Sequence, residues 1–318
     1  MALGKKKKGH VKSAVNSKLI RRPIKRKFWF FLLPTFIAFS IGFIWPFIFG
    51  IYLSFFKFLT VREILTLDMS KISSRFVGFE NYIRAFSDVS FRRAFIYTSA
   101  FTIVSVIAIN VFAFLLAYAL TQKIKGANIF RTVFFMPNLI GGIVLGYIWK
   151  LIFDGILTHY NTYLTSNGTY GFWGLVILMM WQQIGYMMII YISGFQSVSE
   201  DILEAASIDG ASRSQTLFKV IIPNMMSSIT ICTFLTLTNS FKLYDQNLSL
   251  TNGYPIINQD GSSIKMTEML ALNITSSFSE SGAYARGTAQ AKAVIFFVVV
   301  AIISIIQLNA TRSKEVQN

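Results

Sequence analysis

Residues 196–223 run QSVSEDILEAASIDGASRSQTLFKVIIP. Long apolar runs flank this segment on both sides, yet it holds too few apolar residues to cross a bilayer and carries the signals of two short helices. Ser199 stands where an N-cap belongs, and Glu200 and Asp201 follow in the first turn, near the positive end of the helix dipole. Ile202, Leu203, Ala206 and Ile208 supply an incomplete apolar face. Gly210 then tolerates the positive backbone angles of a C-terminal cap. Ser212 can cap a second short helix leading to Pro223, where a new apolar run begins. The pattern predicts a helix-turn-helix on the inner face of a membrane. An amphipathic connector and a docking surface for a partner both explain it; the small Ala205-Ala206 pair beside Glu204 favours docking, because small side chains admit close approach of another protein.

Outward from this loop the chain is apolar. Of 318 residues 53% are hydrophobic, 31 are Phe and only 14% are charged, with a mean hydropathy of +0.54, whereas a soluble domain is about 25% charged. Neither an ordinary cytosolic globule nor a disordered chain has this balance. A membrane-spanning helix needs roughly 20 apolar residues, and six segments qualify: Phe28 to Phe56, Ala94 to Leu120, Thr132 to Phe153, Gly171 to Phe195, Val220 to Phe241 and Thr288 to Asn309. The expected fold is therefore an all-α integral membrane protein of six spans, with a basic tail (1–27), a transmembrane domain (28–309) and a short tail (310–318). Lys150 and Lys292 sit in the third and sixth segments and are expected to snorkel to an interface. Pro34 and Pro46 predict kinks or tilt in the first span. That span follows a basic stretch, as a signal peptide would, but is longer than the ~7–15 apolar residues of a signal and reads as an anchor.

Eleven of the 30 Lys and Arg fall within residues 1–27. The net charge of +16 is thus concentrated in a topology signal that also attracts anionic headgroups, rather than spread along a nucleic-acid-binding face. With the N-terminus inside, the inner segments hold 18 Lys and Arg and the outer ones 10, which predicts that both termini are cytoplasmic; Arg92 and Arg93 run against the bias. A lone cysteine, Cys232, and two distant histidines, His10 and His159, argue against a disulfide, a zinc site and a Cys-His nucleophile. Gly4 to Gly9 has the two-glycine spacing of a phosphate-binding loop but continues His10-Val11. No acidic residue lies deep in any span, where an ion relay would need one. Uphill transport would then draw its energy from another subunit.

Glu204-Ala205-Ala206, three residues, Gly210, nine residues, then Val220, Ile222 and Pro223 resemble the EAA loop of the membrane subunits of binding-protein-dependent ABC importers. Val220 and Ile222 replace the family's Ile and Leu. Val77 to Tyr82, Met136-Pro137-Asn138, Gly194 to Val198, Ile208 to Ser212, Phe241 to Asp245 and Leu250 to Pro255 extend the resemblance toward the carbohydrate-uptake, maltose-type branch, with Asn252 and Tyr254 departing from its Leu-Thr-Gly-Gly-Pro segment. The likeness covers about residues 28–312. It implies the type I importer permease fold in a bacterial inner membrane. A second, different permease subunit completes the pore, a cytoplasmic ATPase dimer binds ATP and Mg, and an extracellular binding protein delivers the solute. By position, Glu204, Ala205, Ala206, Asp209 and Gly210 would form the ATPase-coupling site between spans four and five. The chain itself would bind no cofactor, metal or nucleic acid and catalyse no reaction.

A sugar needs hydrogen-bonding and aromatic groups near the membrane midplane. Trp181, Gln182, Gln183 and Tyr186 lie at the centre of span four, with Gln182 and Tyr186 on one helix face; Thr236, Asn239 and Ser240 form a polar stripe in span five. These are candidate substrate-pathway residues, and interhelical hydrogen bonding is the competing reading. Gly142 and Gly146 make a G-x-x-x-G pattern assigned to close helix packing. The resemblance implies import of a sugar or oligosaccharide; the alternatives are another polar solute, such as a polyamine or glycerol phosphate, or an ion-coupled secondary transporter.

Overall fold

A computed structural model describes residues 21–58, 75–122, 124–259 and 262–313. Lys5 to Lys8, His10 and the Gly4-to-Gly9 stretch lie outside the described residues, as does the end of the C-terminal tail. The chain divides after Tyr52 into two compact units.

The first unit carries α1 (Arg21–Phe39), a π-helical turn (Ser40–Ile44) and the start of α2 (Trp45–Leu53). They form one apolar span, Phe28–Leu53, interrupted by the π-helical turn next to Pro46. Pro46 is accommodated by the wider π turn just before it, where a regular turn would drive the proline ring against a carbonyl. Aromatic rings stack along the helix, Phe39 on Phe43 at 5.1 Å and Phe43 on Phe47 at 6.4 Å. Trp29, Phe30, Phe31 and Ile41 are exposed in the isolated chain, as befits a helix apolar on all sides.

In the second unit, α3 (Glu80–Ser87) leads through Asp88 into the 33-residue α4 (Val89–Thr121). The buried positions of α4, Thr98, Phe101, Ser105, Ile109, Ala113 and Ala117, recur every three or four residues and so form one stripe. Next come α5 (Ala127–Phe135) with a 3-10 turn (Met136–Leu139), α6 (Gly142–Thr158) and α7 (Gly168–Gln196). Tyr97 packs on Phe172 at one end of α4 and α7, and Phe114 on Tyr191 and Phe195 toward the other, so the two helices run parallel. The chain between them therefore crosses back once. It does so as a broken span: the helical segments on either side of Ile140 and Gly141 meet at 102°, where a straight helix, Thr132 to Phe153, was expected. Ile140 and Gly141 are extended, and a Gly-Gly pair after a proline-bearing turn gives the helix little reason to continue. Because α6 runs on to Thr158, Lys150 sits in its middle, half-buried.

The loop helix α8 (Glu200–Ile208) precedes α9 (Arg213–Asn224) and α10 (Met226–Phe241). These last two are bent by 71° at Met225, so the fifth span too is a bent pair. The stretch expected to be an outer loop, 242–287, is structured: α11 (Asp245–Leu250), a hairpin of β1 (Ile256–Gln259) and β2 (Ser262–Lys265) pairing Ile257 with Ile264, and α12 (Leu270–Phe278). Asn247, fully buried, organises it. Its Nδ2 donates to the Thr267 carbonyl at 2.8 Å and its Oδ1 accepts from the Met269 N–H at 3.0 Å. The last helix is α13 (Ala285–Arg312). Among the described residues, four helices are long and apolar enough to cross a membrane, or six counting each bent pair as one span.

Lys292 does not snorkel. It is 1% exposed, its ammonium 2.6 Å from Asp88 Oδ2 and 2.6 Å from Ser277 Oγ, above the Phe91 ring. Asp88 also caps α4, its Oδ1 accepting the Ser90 N–H at 2.8 Å. The ion pair thus joins α4 through Asp88 to α13 and α12 through Lys292. Removing one partner of a buried pair costs about 3–5 kcal/mol, and the two partners are unequal, because the Asp88 side chain is 30% exposed and that of Lys292 2%. Asp88→Asn strands the buried cation and should destabilise the purified protein by about 3 kcal/mol, whereas Lys292→Met leaves a carboxylate that water reaches and should cost less. Thermal unfolding followed by tryptophan fluorescence checks the order of the two; equal losses would contradict it.

Candidate functional site

The antiparallel contact between α7 and α10 is close because Gly194 faces Ser228 and Met225, leaving no room for a Cβ. Nearer the other end α11 packs on α6 and reaches α7 through Gln246, which donates to Gln182. A cavity of about 310 Å³ opens there, lined by Met179, Gln183, Asn239, Lys242, Leu243, Tyr244, Asp245 and Gln246. Gln183 Oε1 is buried and has no hydrogen-bond partner among the described residues, although such a group costs about 1–3 kcal/mol if nothing satisfies it.

Of the seven residues selected from the sequence for a solute path, the structure brings only Gln183 and Asn239 to this cavity. Gln182 lies behind its wall: Nε2 donates to the Ile140 carbonyl at 3.3 Å, and Oε1 accepts from Gln246 Nε2 at 2.7 Å. Tyr186, on the same face as Gln182, packs near the Phe135 ring. Trp181 is 44% exposed against Trp149. Thr236 is fully buried, donating to the Cys232 carbonyl and accepting from Asn110 Nδ2; Asn110 Oδ1 in turn accepts from the Tyr191 hydroxyl at 2.6 Å. Ser240 is fully buried as well. Of that stripe, Thr236 bonds between helices, the competing reading, whereas the Ser240 hydroxyl has no partner among the described residues. Lys242, Tyr244, Asp245 and Gln246 were missed as cavity residues, although Phe241 to Asp245 stood out as a motif. Only the return of α11 onto α6 places them there.

That return depends on the G-x-x-x-G pattern. A Cβ at Gly142 would come within 2.8 Å of Asp245 Cβ and one at Gly146 would overlap Ser249 Oγ, so the glycines seat α11, and with it one cavity wall, directly on α6. Gly185 similarly lets α7 lie against the Phe134 carbonyl.

In the connecting loop, the Ser199 side chain makes no cap bond, contrary to expectation. Ser212 does cap: its hydroxyl accepts the Gln215 N–H at 3.3 Å and its own N–H donates to Gln215 Oε1 at 2.8 Å. Gly210 has φ +75°, a conformation that favours glycine. Ala206 faces inward. Ile208, counted above among the apolar face, is instead 86% exposed, and Phe218 is 65% exposed. Glu204, Ala205, Asp209 and Gly210 are exposed beside them.

A multi-pass helical protein with a polar cavity among its spans and an exposed apolar connecting loop belongs to the class of membrane transport subunits. The profile of the family described as binding-protein-dependent transport system inner membrane component matches residues 125–315, and the chain belongs to that family. It is 39% identical over 299 residues, covering 91% of this chain and 95% of the relative, to the probable starch degradation products transport system permease protein AmyD of Thermoanaerobacterium thermosulfurigenes. It is 29% identical to the multiple sugar-binding transport system permease protein MsmF of Streptococcus mutans, covering 91% and 96%. The solved structure of a bacterial ABC transporter involved in the import of the acidic polysaccharide alginate shares the fold: TM-score 0.71, 18% identity, 91% of this chain and 97% of that one. The chain is thus an inner membrane component of a binding-protein-dependent transport system, a transport permease like its relatives rather than an enzyme.

If Gly146 seats α11, Gly146→Ala should lower stability by about 1–3 kcal/mol. Gly155→Ala on the same helix, where a Cβ meets nothing within 4 Å, should hold stability or raise it by up to about 1 kcal/mol. Thermal unfolding of the two purified variants tests this, and a Gly146→Ala protein as stable as wild type would remove the glycine seat from the account.

Proposed function

We propose that the chain is one of two different permease subunits of an ATP-driven importer that moves a sugar or oligosaccharide handed over by an extracellular binding protein. What carries the reading is that relatives named for starch degradation products and for multiple sugars align along 91% of the chain. The cavity suits such a solute. Its wall offers Gln183 Oε1, which has no partner among the described residues, with Asn239, Gln246 and Tyr244 beside the charged Lys242 and Asp245, donors and acceptors of the kind that pair with hydroxyl groups.

The loop is the coupling element. Glu204, Ala205, Ala206, Asp209 and Gly210 form a turn whose exposed Ile208 and Phe218 would otherwise waste apolar contact with water, and their occupant is a cleft on a cytoplasmic ATPase. ATP and Mg sit on that partner. This orientation puts both chain termini in the cytoplasm and the β1–β2 hairpin outside. ATPase closure then rocks the spans between inward-open and outward-open arrangements.

The tagged chain should be purified from native membranes as wild type, Glu204→Ala and Gln183→Ala. Wild type should bring an ATPase and a second permease, and Glu204→Ala should keep the permease and lose most of the ATPase. Cells carrying Gln183→Ala should take up a labelled maltooligosaccharide about tenfold more slowly, the loss of one buried hydrogen bond. Recovery of the wild-type chain alone, with ATP-independent counterflow, would make it an ion-coupled carrier. Uptake of glycerol phosphate or a polyamine in place of the sugar would change the solute but leave the coupling intact.

A further inference from the structure

At the end of the bundle that carries the β1–β2 hairpin, a second cavity of about 400 Å³ lies between α4 and the start of α7. Its walls are mostly apolar, from Ile96, Ala100 and Phe172, but Arg93 enters it. Among the described residues no carboxylate is within ion-pair distance of Arg93, and the one acceptor its guanidinium meets is the Met266 thioether at 3.1 Å, a weak acceptor for a group with five donors. The Tyr97 hydroxyl beside it is buried and has no partner among the described residues. The positive end of the 29-residue α7 opens on the same space through Gly168 and Thr169. The Thr169 N–H is already met by Asn167 Oδ1 at 2.9 Å, so an anion is what Arg93 and the Tyr97 hydroxyl lack.

The apolar side continues. Ile96, Ala100, Ile103 and Ile107 recur at helical spacing on α4, the isoleucines 69%, 62% and 61% exposed, and the last two border another cavity of about 340 Å³ whose other walls include Leu237, Phe241 and Ile303. From Ile96 to Ile107 is about 16 Å along the helix, close to half of a ~30 Å hydrocarbon core. A cation-lined cup above an apolar track one leaflet deep is complementary to one molecule with an anionic head and a long hydrocarbon tail. We propose that this face of α4 is a binding site for an anionic glycerophospholipid, its phosphate on Arg93 and Tyr97 and one acyl chain along Ile96, Ala100, Ile103 and Ile107.

The test uses the full chain with its co-purifying subunits, in nanodiscs doped with phosphatidylglycerol that carries a diazirine in one acyl chain. Cross-links should map to residues 93–107 and withstand excess inorganic phosphate. Arg93→Gln should lower their yield about tenfold, the loss of a charge-assisted contact, and Arg93→Lys should lower it less. Ile103→Trp, which blocks the track and spares the cation, should also displace them. The proposal is overturned if wild-type cross-links map elsewhere, as they would if a partner subunit covers this face. It is equally overturned if Arg93→Gln labels like wild type, or if phosphate alone abolishes labelling, which would leave a simple anion site. The wild-type map decides the matter even where a variant fails to assemble.

Discussion

The ion pair of Lys292 and Asp88 ties three helices of the bundle to one point. A lysine two turns into an apolar helix would ordinarily stretch toward water; here it is held by a carboxylate and the Ser277 hydroxyl, each at 2.6 Å. Since the same carboxylate caps α4, the start of α4, the end of α12 and the second turn of α13 share one electrostatic centre. Nearby, Asn81 is fully buried and donates to the Ser54 and Phe56 carbonyls, and Gly287 lies so close to the Phe56 carbonyl that a Cβ would overlap it. The chain entering the bundle is thereby tied to the base of α13. Moving either end would expose an unpaired ammonium in a place that offers it nothing else.

Away from that centre the bundle is assembled by close approach. Lipid gives helices little hydrophobic reason to associate, so small residues and hydrogen bonds take over. Gly185 against the Phe134 carbonyl, Gly194 against Ser228 and Gly146 against Ser249 set the spacing of α7 with α5, of α7 with α10 and of α6 with α11. The Tyr191, Asn110 and Thr236 chain joins three spans in the same region without any charge.

The sequence shows the parts of this architecture that depend on composition and period. Six apolar stretches, the cap at Ser212, the turn at Gly210 and the tight G-x-x-x-G helix are all legible in it. What it hides depends on partners distant along the chain. A lysine at a span end looks the same whether it reaches water or meets Asp88, some 200 positions away. Ile208 has the spacing of an inward-facing residue, but a nine-residue helix has room for only a short inward stripe, which Leu203 and Ala206 fill. The break at Ile140-Gly141 leaves the hydropathy of Thr132 to Phe153 unchanged, so length and apolarity alone describe a straight span. In the cavity, Gln183 and Asn239 are recognisable as polar groups within apolar helices; Lys242, Asp245 and Gln246 become wall residues only because α11 turns back.

The break is also tied by hydrogen bonds to the cavity wall. An unwound backbone at membrane depth survives only if its polar groups are satisfied, and the Ile140 carbonyl is met by Gln182, whose own oxygen is held by Gln246. Gln246 is in the cavity wall. The cavity wall is therefore two hydrogen bonds from the 102° bend, and such chains strengthen or weaken together. The 71° bend at Met225 lies on the other flank of α7, at the loop end, with Met225 packed beside Gly194. Straight, largely buried α7 thus stands between two bent segments, one hydrogen-bonded to the cavity wall and the other continuous with the exposed loop. Bends of this kind are where a helix changes angle with the fewest bonds lost. Under the coupling proposed for the loop, motion imposed there would reach the cavity by altering those two angles around α7.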